Sequence, residues 1–196
     1  MSTFYKHLNI PMESFDKQSI MDLLIERERT LLFQKVRMWK YWGYRDPVLT
    51  PEFHAWLDSF GCNVFHAELF HVPPRGVLPW HVDQNPGHNV CKINFVWGAE
   101  DHEIQWGEQI DNNNPLTSIM TPMNTKYVSY SDEEIRIIET AKVRADMPML
   151  ADVGQPHRVI NYSDTSRWCF SVVIHKDKYR ILLKDAINIF SEYVED

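Results

Sequence analysis

The stretch Leu78–Trp97, LPWHVDQNPGHNVCKINFVW, sets the frame for the whole chain. It opens as an apolar run that ends in His81-Val-Asp83 and passes through QNPGHN, a Pro-Gly turn by composition. It resumes as the alternating run CKINFVW. Two strands joined by a turn are expected. On a strand, residues i and i+2 share a face, so His81 and Asp83 point to one side. By the same rule Lys92 and Asn94 point together, with Phe95 opposite.

The neighbouring sequence has the same texture. NVFHAELFHV, HEIQW, KYVSYS, EIRIIETAKV and WCFSVVIH are short, rich in β-branched and aromatic residues, and separated by Gly, Pro, Asn and Asp. From about Cys62 to His175 this pattern predicts an antiparallel β sandwich or barrel, with GEQIDNNNPLT as a loop.

The two ends look helical. Asp16 to Arg29 spaces Ile20, Leu23, Leu24 and Arg27 at helical intervals. LTPEFHAWLDSFG offers Thr50 as a cap, Pro51 at the first helical position and Gly61 as a stop. DKYRILLKDAINIFSEYV reads as an amphipathic C-terminal helix through Ile181, Leu182, Ile187, Ile189 and Phe190. The expectation is a single domain over 1–196, with helical support over 1–61, a β core over 62–175 and a C-terminal helix over 176–196.

Bulk properties bound the function. The chain has 196 residues, 44% hydrophobic and 24% charged, enough for one domain with a real core. A net charge of −7 argues against a protein built to grip nucleic acid. No secretory leader and no long apolar run are evident, so a cytoplasmic protein without a membrane span is expected. Three cysteines, with no CxxC, read as buried thiols and not as a disulfide framework or a thiolate zinc site.

His-x-Asp/Glu on a strand can place an imidazole and a carboxylate around one ion, but chance predicts roughly one such pair in this composition. The chain has three: His66-Ala-Glu68, His81-Val-Asp83 and His175-Lys-Asp177. Asp177 suits a helix cap, and His66 with Glu68 lies mid-strand, where the two can pair with each other. His81 and Asp83 stand at a strand-to-loop edge, where functional groups concentrate. A third ligand is offered by His157 in DVGQPHRVINYSDTSRWCF, followed ten residues on by Arg167 within an apolar strand. A buried arginine needs an anionic partner, either a carboxylate of the protein or a dicarboxylate ligand. Two histidines and one carboxylate suit Fe(II) and leave positions open for other ligands.

The order His81-x-Asp83, His157, Arg167 resembles the Fe(II)/2-oxoglutarate-dependent oxygenases, in their aspartyl/asparaginyl β-hydroxylase-like or prolyl-hydroxylase-like branches. LPWHVD resembles their first metal-binding strand, and QPHRVINYSDTSRW resembles the later His-x-Val-x-Asn segment followed by Arg; the likeness spans roughly Asn63 to Ile174. It implies a mainly β fold, the double-stranded β-helix (a cupin-like jelly-roll), with flanking helices. By the same resemblance His81, Asp83 and His157 would bind Fe(II), and Arg167 the distal carboxylate of 2-oxoglutarate. The reaction would consume O2, release succinate and CO2, and hydroxylate an amino-acid side chain in a protein or a small molecule.

Lys92 and Asn94 are candidate contacts to the cosubstrate, with a surface position for Lys92 as the competing expectation. Arg158 and Trp97 are candidates at the substrate entrance, Trp97 as part of an aromatic wall with Trp80 and Trp106. The sequence departs from relatives at two points. Asp83 is present where animal aspartyl/asparaginyl hydroxylases lack a carboxylate. Cys169 stands where many relatives carry a serine that assists the arginine, leaving Tyr127 or Tyr130 as substitute hydroxyls. Two other classes fit the same residues: a metal-dependent cupin enzyme of another kind, and a non-catalytic jelly-roll binding module.

Overall fold

Residues of alternating character build strands with two distinct faces, and this chain folds them into two sheets packed face to face. The computed structural model describes residues 2–27, 37–41, 47–83, 90–111, 117–120, 126–145 and 147–195. The Pro-Gly turn expected after Asp83 and the middle of the GEQIDNNNPLT loop lie outside the described residues.

The N-terminal elements are β1 (Tyr5–Leu8), α1 (Lys17–Arg27), β2 (Arg37–Tyr41) and α2 (Pro51–Ser59). Then follow β3 (Cys62–Val72), β4 (Val77–Asp83), β5 (Cys91–Trp97), β6 (His102–Gln109), β7 (Thr117–Met120), β8 (Lys126–Ser129) and β9 (Ile135–Lys142). The chain ends with β10 (Met149–Asp152), β11 (His157–Asn161), β12 (Arg167–Lys176), β13 (Tyr179–Arg180), α3 (Leu183–Ile189) and β14 (Val194–Glu195).

The first sheet runs β14-β1-β10-β5-β12-β3-β2, with β13 paired to β12, and the second runs β7-β8-β4-β11-β6-β9. All the pairings within them are antiparallel. From β3 to β6 the chain crosses between sheets at every strand, and it does so again from β9 to β12. That alternation is the double-stranded β-helix, a jelly-roll.

Period-two alternation sorts the side chains. Ile93 and Phe95 of β5 and Phe170 and Val172 of β12 face outward, where Ile20 and Leu24 of α1 and Phe53, Trp56 and Leu57 of α2 cover them. Val96, Cys169, Ile104, Trp106 and Val159 meet between the sheets. Trp80, Val82, Val128, Tyr130 and Ile135 form a smaller cluster that excludes these interior residues.

The start of α2 follows its sequence signal. The Phe53 N–H donates to Thr50 Oγ1 at 3.2 Å, Pro51 occupies the first turn, and the Thr50 hydroxyl donates to the Glu13 carbonyl at 2.7 Å. Thr50→Ala is expected to lower stability by about 1 kcal/mol or somewhat more, because a cap and a tether to the N-terminal segment are lost together. Urea denaturation followed by far-UV circular dichroism measures it.

Three sequence expectations are corrected. The region 1–61 is not purely helical, since it supplies β1 and β2 to the first sheet. The C-terminal helix is confined to Leu183–Ile189, preceded by β13 and followed by β14. Asp177 does not cap a helix; it sits with φ 51° in the tight turn joining β12 to β13. Among the described residues, no helix is long and apolar enough to cross a membrane.

Candidate metal centre

The pairing of β4 with β11 is irregular at the position that matters. His157 lies opposite His81, and Val159 lies opposite Leu78, so β4 spends three steps where β11 spends two. The extra residue falls at Pro79–Trp80, and proline has no N–H to contribute to the ladder. A β-bulge re-aims the side chains beyond it. Leu78 packs with the interior cluster, whereas Trp80 belongs to the separate cluster with Val82 and Tyr130. His81 and Asp83 thereby turn to the side of His157.

The three side chains converge. One ligand atom each from His81, Asp83 and His157 can be chosen so that all lie within 4.8 Å of one another. The two imidazole centroids are 4.2 Å apart, and His81 Nε2 lies 3.6 Å from Asp83 Oδ1. Each ring is oriented from behind: His81 Nδ1 is 2.7 Å from the Pro79 carbonyl and His157 Nδ1 is 2.9 Å from the Gln155 carbonyl. A carbonyl only accepts, so Nδ1 carries a proton in both rings and Nε2 is the nitrogen left to meet an ion. That is the supporting arrangement metal-bound imidazoles use.

Charge tells the same story. Burial and the neighbouring His81 hold His157 down to about 3, so it stays a neutral ligand. Burial alone would push the Asp83 carboxyl up, but the Lys92 ammonium and both imidazoles overcome it and leave it well below the usual carboxylate range. A neutral His157 imidazole, the His81 ring beside it and an ionised Asp83 carboxylate are a donor set that fits a divalent transition-metal ion such as Fe(II).

Lys92 is buried rather than at the surface, with its Nζ 2.6 Å from Asp83 Oδ2 and 2.5 Å from Glu68 Oε2. Glu68 Oε1 in turn meets His66 Nε2 at 3.1 Å. Burial works against the Glu68 carboxylate, yet Lys92 and His66 bring it down to about 2. Asn94 Oδ1 accepts from the Ser171 hydroxyl at 2.5 Å. Lys92 and Asn94 therefore share the interior face, and both make contacts within the protein.

Arg167 is 3% exposed on the interior face of β12, next but one to Cys169. Burial pulls its pKa down, the Cys169 thiol is its recorded polar contact, and its Nε has no partner among the described residues. His102, at the start of β6, is the matching finding on the opposite sheet. Its Nδ1 faces the Ala99 carbonyl at 3.1 Å and its Nε2 is buried without a partner among the described residues. Burial and then the Arg167 charge hold it down to about 4. Nothing in the sequence singles out His102, because one histidine at a strand start has no spacing signature.

Arg158 and Trp97 lie elsewhere than expected. Arg158 follows His157 directly and so points to the opposite face. There it lies 4.7 Å over the Trp80 ring, with Nε donating to Gln105 at 2.6 Å and a terminal N–H to Asp132 at 2.8 Å. Trp97 packs with the helix-side core, 5.7 Å from Phe15 and stacked 6.5 Å from Trp168. It lines a cavity of about 590 Å³ beside the N-terminal segment, which none of His81, Asp83 and His157 borders. Tyr130 falls in the Trp80 cluster, whereas Tyr127 pairs with Asp83 across the strands and sets its ring edge-on to His81 at 6.2 Å.

The buried ionisable groups fix a pH response of the metal-free protein. Unfolded histidines take up protons near 6.5, whereas His157 and His102 resist until about 3 and about 4. The unfolded state therefore binds more protons, and stability is lost as pH falls through that window. Asp152 runs the other way: burial pushes it up to about 6, so its contribution is lost as pH rises. Two histidines outweigh one aspartate, and the melting temperature is expected to fall between about pH 7 and about pH 4.5. A rise on acidification, in melts followed by circular dichroism, would contradict this charge assignment.

No protein-family model and no curated protein matches this chain. Among solved structures, vicilin from Corylus avellana (hazelnut) is similar at 16% identity, over 71% of this chain and 29% of that one, with a TM-score of 0.34. Oxalate oxidase in complex with the substrate analogue glycolate is similar at 14% identity, over 73% of this chain and 54% of that one, with a TM-score of 0.36. A second oxalate oxidase structure is similar at 12% identity, over 83% and 70%, with a TM-score of 0.34. The chain spans less than two thirds of the length of the first two. By its own strand order and geometry, it is a jelly-roll protein with a His–Asp–His cluster suited to a metal ion.

Proposed function

We propose that this chain is an Fe(II)- and 2-oxoglutarate-dependent dioxygenase that hydroxylates an amino-acid side chain in a protein or a small molecule. The observation that carries the proposal is Arg167, a buried cation whose Nε has no partner among the described residues, in the same interior as the His81–Asp83–His157 cluster. A jelly-roll with an incidental histidine pair has no use for such a charge, whose burial without an anion is costly.

Charge balance supports a dianionic ligand. Asp83, Glu68 and Lys92 together leave one negative charge at the cluster. A divalent ion turns that into one positive charge, and Arg167 adds a second. A dicarboxylate that meets the ion at one end and Arg167 at the other neutralises both. His102 Nε2, on the opposite sheet, has no partner among the described residues; its imidazole is neutral beside the Arg167 charge, and a bound carboxylate would favour the protonated form that donates to it. His102 takes the place left by Cys169, a weak donor.

His81, Asp83 and His157 would hold Fe(II), which with 2-oxoglutarate and O2 supplies the oxidising chemistry, yielding succinate and CO2. The chain's own work is to bind, orient and keep water out. The carbonyls of Pro79 and Gln155 fix both imidazoles, and the apolar layer of Val96, Val159 and Ile104 keeps the interior dry. Anaerobic addition of Fe(II) and then 2-oxoglutarate is expected to give a visible charge-transfer band. Metal binding without such a band would favour a metal-dependent enzyme of another class, and absence of both would leave a binding module.

A further inference from the structure

Three ligands suffice to hold a metal ion, yet the carboxylate among them is tied to two further charged residues. Lys92, from β5 of the first sheet, reaches across to Asp83 of β4 in the second, and Glu68 of β3 meets the same ammonium. Lys92 and Glu68 are 4% and 3% exposed, so neither is a solvated surface charge that happens to lie nearby.

The geometry separates the two oxygens of Asp83. Oδ2 is 2.6 Å from the ammonium, while Oδ1 faces His81 Nε2 at 3.6 Å. A carboxylate free to rotate can offer an ion either oxygen or both. With Oδ2 held, only Oδ1 remains on the side of the imidazoles. An ammonium beside a metal ligand would by itself repel the incoming cation. Glu68 cancels that charge from 2.5 Å, and His66 occupies the second oxygen of Glu68 at 3.1 Å. Glu68 is thereby kept from serving as a fourth ligand.

We propose that Glu68 and Lys92 form a charge-cancelled positioning pair that commits Asp83 to the ion through Oδ1 alone. The inference rests on the metal assignment above and adds two residues that support the ligand without touching the ion. Partners of this kind are typically worth 10- to 100-fold in metal affinity, roughly the size of effect expected here.

The test is titration of the metal-free protein with Co(II), followed by its visible absorption, with melts recorded in parallel. Glu68→Gln leaves the Lys92 charge uncancelled and is expected to weaken Co(II) binding by roughly 10- to 100-fold. The double variant Glu68→Gln/Lys92→Met removes both charges with little change in shape. It is expected to bind more tightly than Glu68→Gln but more weakly than wild type, since repulsion is relieved while Oδ2 is released. A purely structural role predicts altered melts with Co(II) affinity unchanged in every folded variant, and that result would overturn the proposal. Should Glu68→Gln fail to fold, a double variant that binds as tightly as wild type overturns it equally. If instead the wild type and His81→Ala bind Co(II) alike, the metal assignment itself fails.

Discussion

An Arg167→Met protein is expected to melt at a higher temperature than the wild type when no ligand is present, and to bind 2-oxoglutarate roughly 100-fold more weakly. The first half follows from the cost of the native residue. Its guanidinium is 3% exposed, touches a thiol rather than a carboxylate, and leaves Nε without a partner among the described residues. Replacing buried charge by an apolar side chain of similar volume is often neutral or stabilising, by about 1–4 kcal/mol. The second half follows from the geometry of a carboxylate against a guanidinium. Hydrogen bonds to charged groups contribute about 1.5–3 kcal/mol each, so losing one paired contact costs about 3 kcal/mol, or roughly 100-fold. Melts without ligand and calorimetric titration of the Mn(II)-loaded protein measure the two effects. A destabilised variant with wild-type affinity would make Arg167 structural and remove the chief support for the dioxygenase proposal. Gain in stability with loss of binding is the signature of a residue kept for its ligand.

Removing a metal ligand is expected to do more. His81→Ala should weaken divalent-ion binding by well over about 100-fold, beyond what loss of a supporting partner costs. The ring contributes Nε2, and the Pro79 carbonyl that orients it cannot orient a water molecule in its place. His175→Ala is the control. Its ring stacks on Phe65 at 4.5 Å, and the neighbouring Asp177 sits in a hairpin turn. Metal affinity should be unchanged in that variant. Equal losses in both, read by the same Co(II) titration, would mean that the site is held by something other than the β4–β11 pair.

The sequence signals that succeeded are those with a local cause. Thr50 and Pro51 announced α2 because capping is decided within one helical turn. The run KINFVW announced both faces of β5, since its pleat is regular along its length. Signals failed where a distant partner decides the outcome. β1, β2 and β14 are short strands at or near the edge of the first sheet, formed because β10, β3 and β1 respectively offer backbone partners, and their own residues carry little pattern. Lys92 reads equally as a surface lysine or a ligand contact until Glu68 and Asp83 arrive from two other strands. Arg158 and Trp97 were attractive as neighbours of site residues in the chain. Adjacency on a strand places a side chain on the opposite face.

The bulge at Pro79 ties two surfaces of the molecule together. Because one surplus residue sets the phase of everything beyond it in β4, the metal ligands and the tryptophan that carries Arg158 cannot be chosen independently. Were the unchanged sequence to pair in regular register, without the bulge, the two sets would exchange faces, and the interior ligands and the outer-face tryptophan would leave their places in one event. Deleting one residue between Leu78 and His81 does the opposite: β4 then spends two steps where β11 spends two, and His81 stays opposite His157 with Leu78 opposite Val159. Only a slip that flattens the bulge with the surplus residue still present leaves every ligand in the sequence and none in the site.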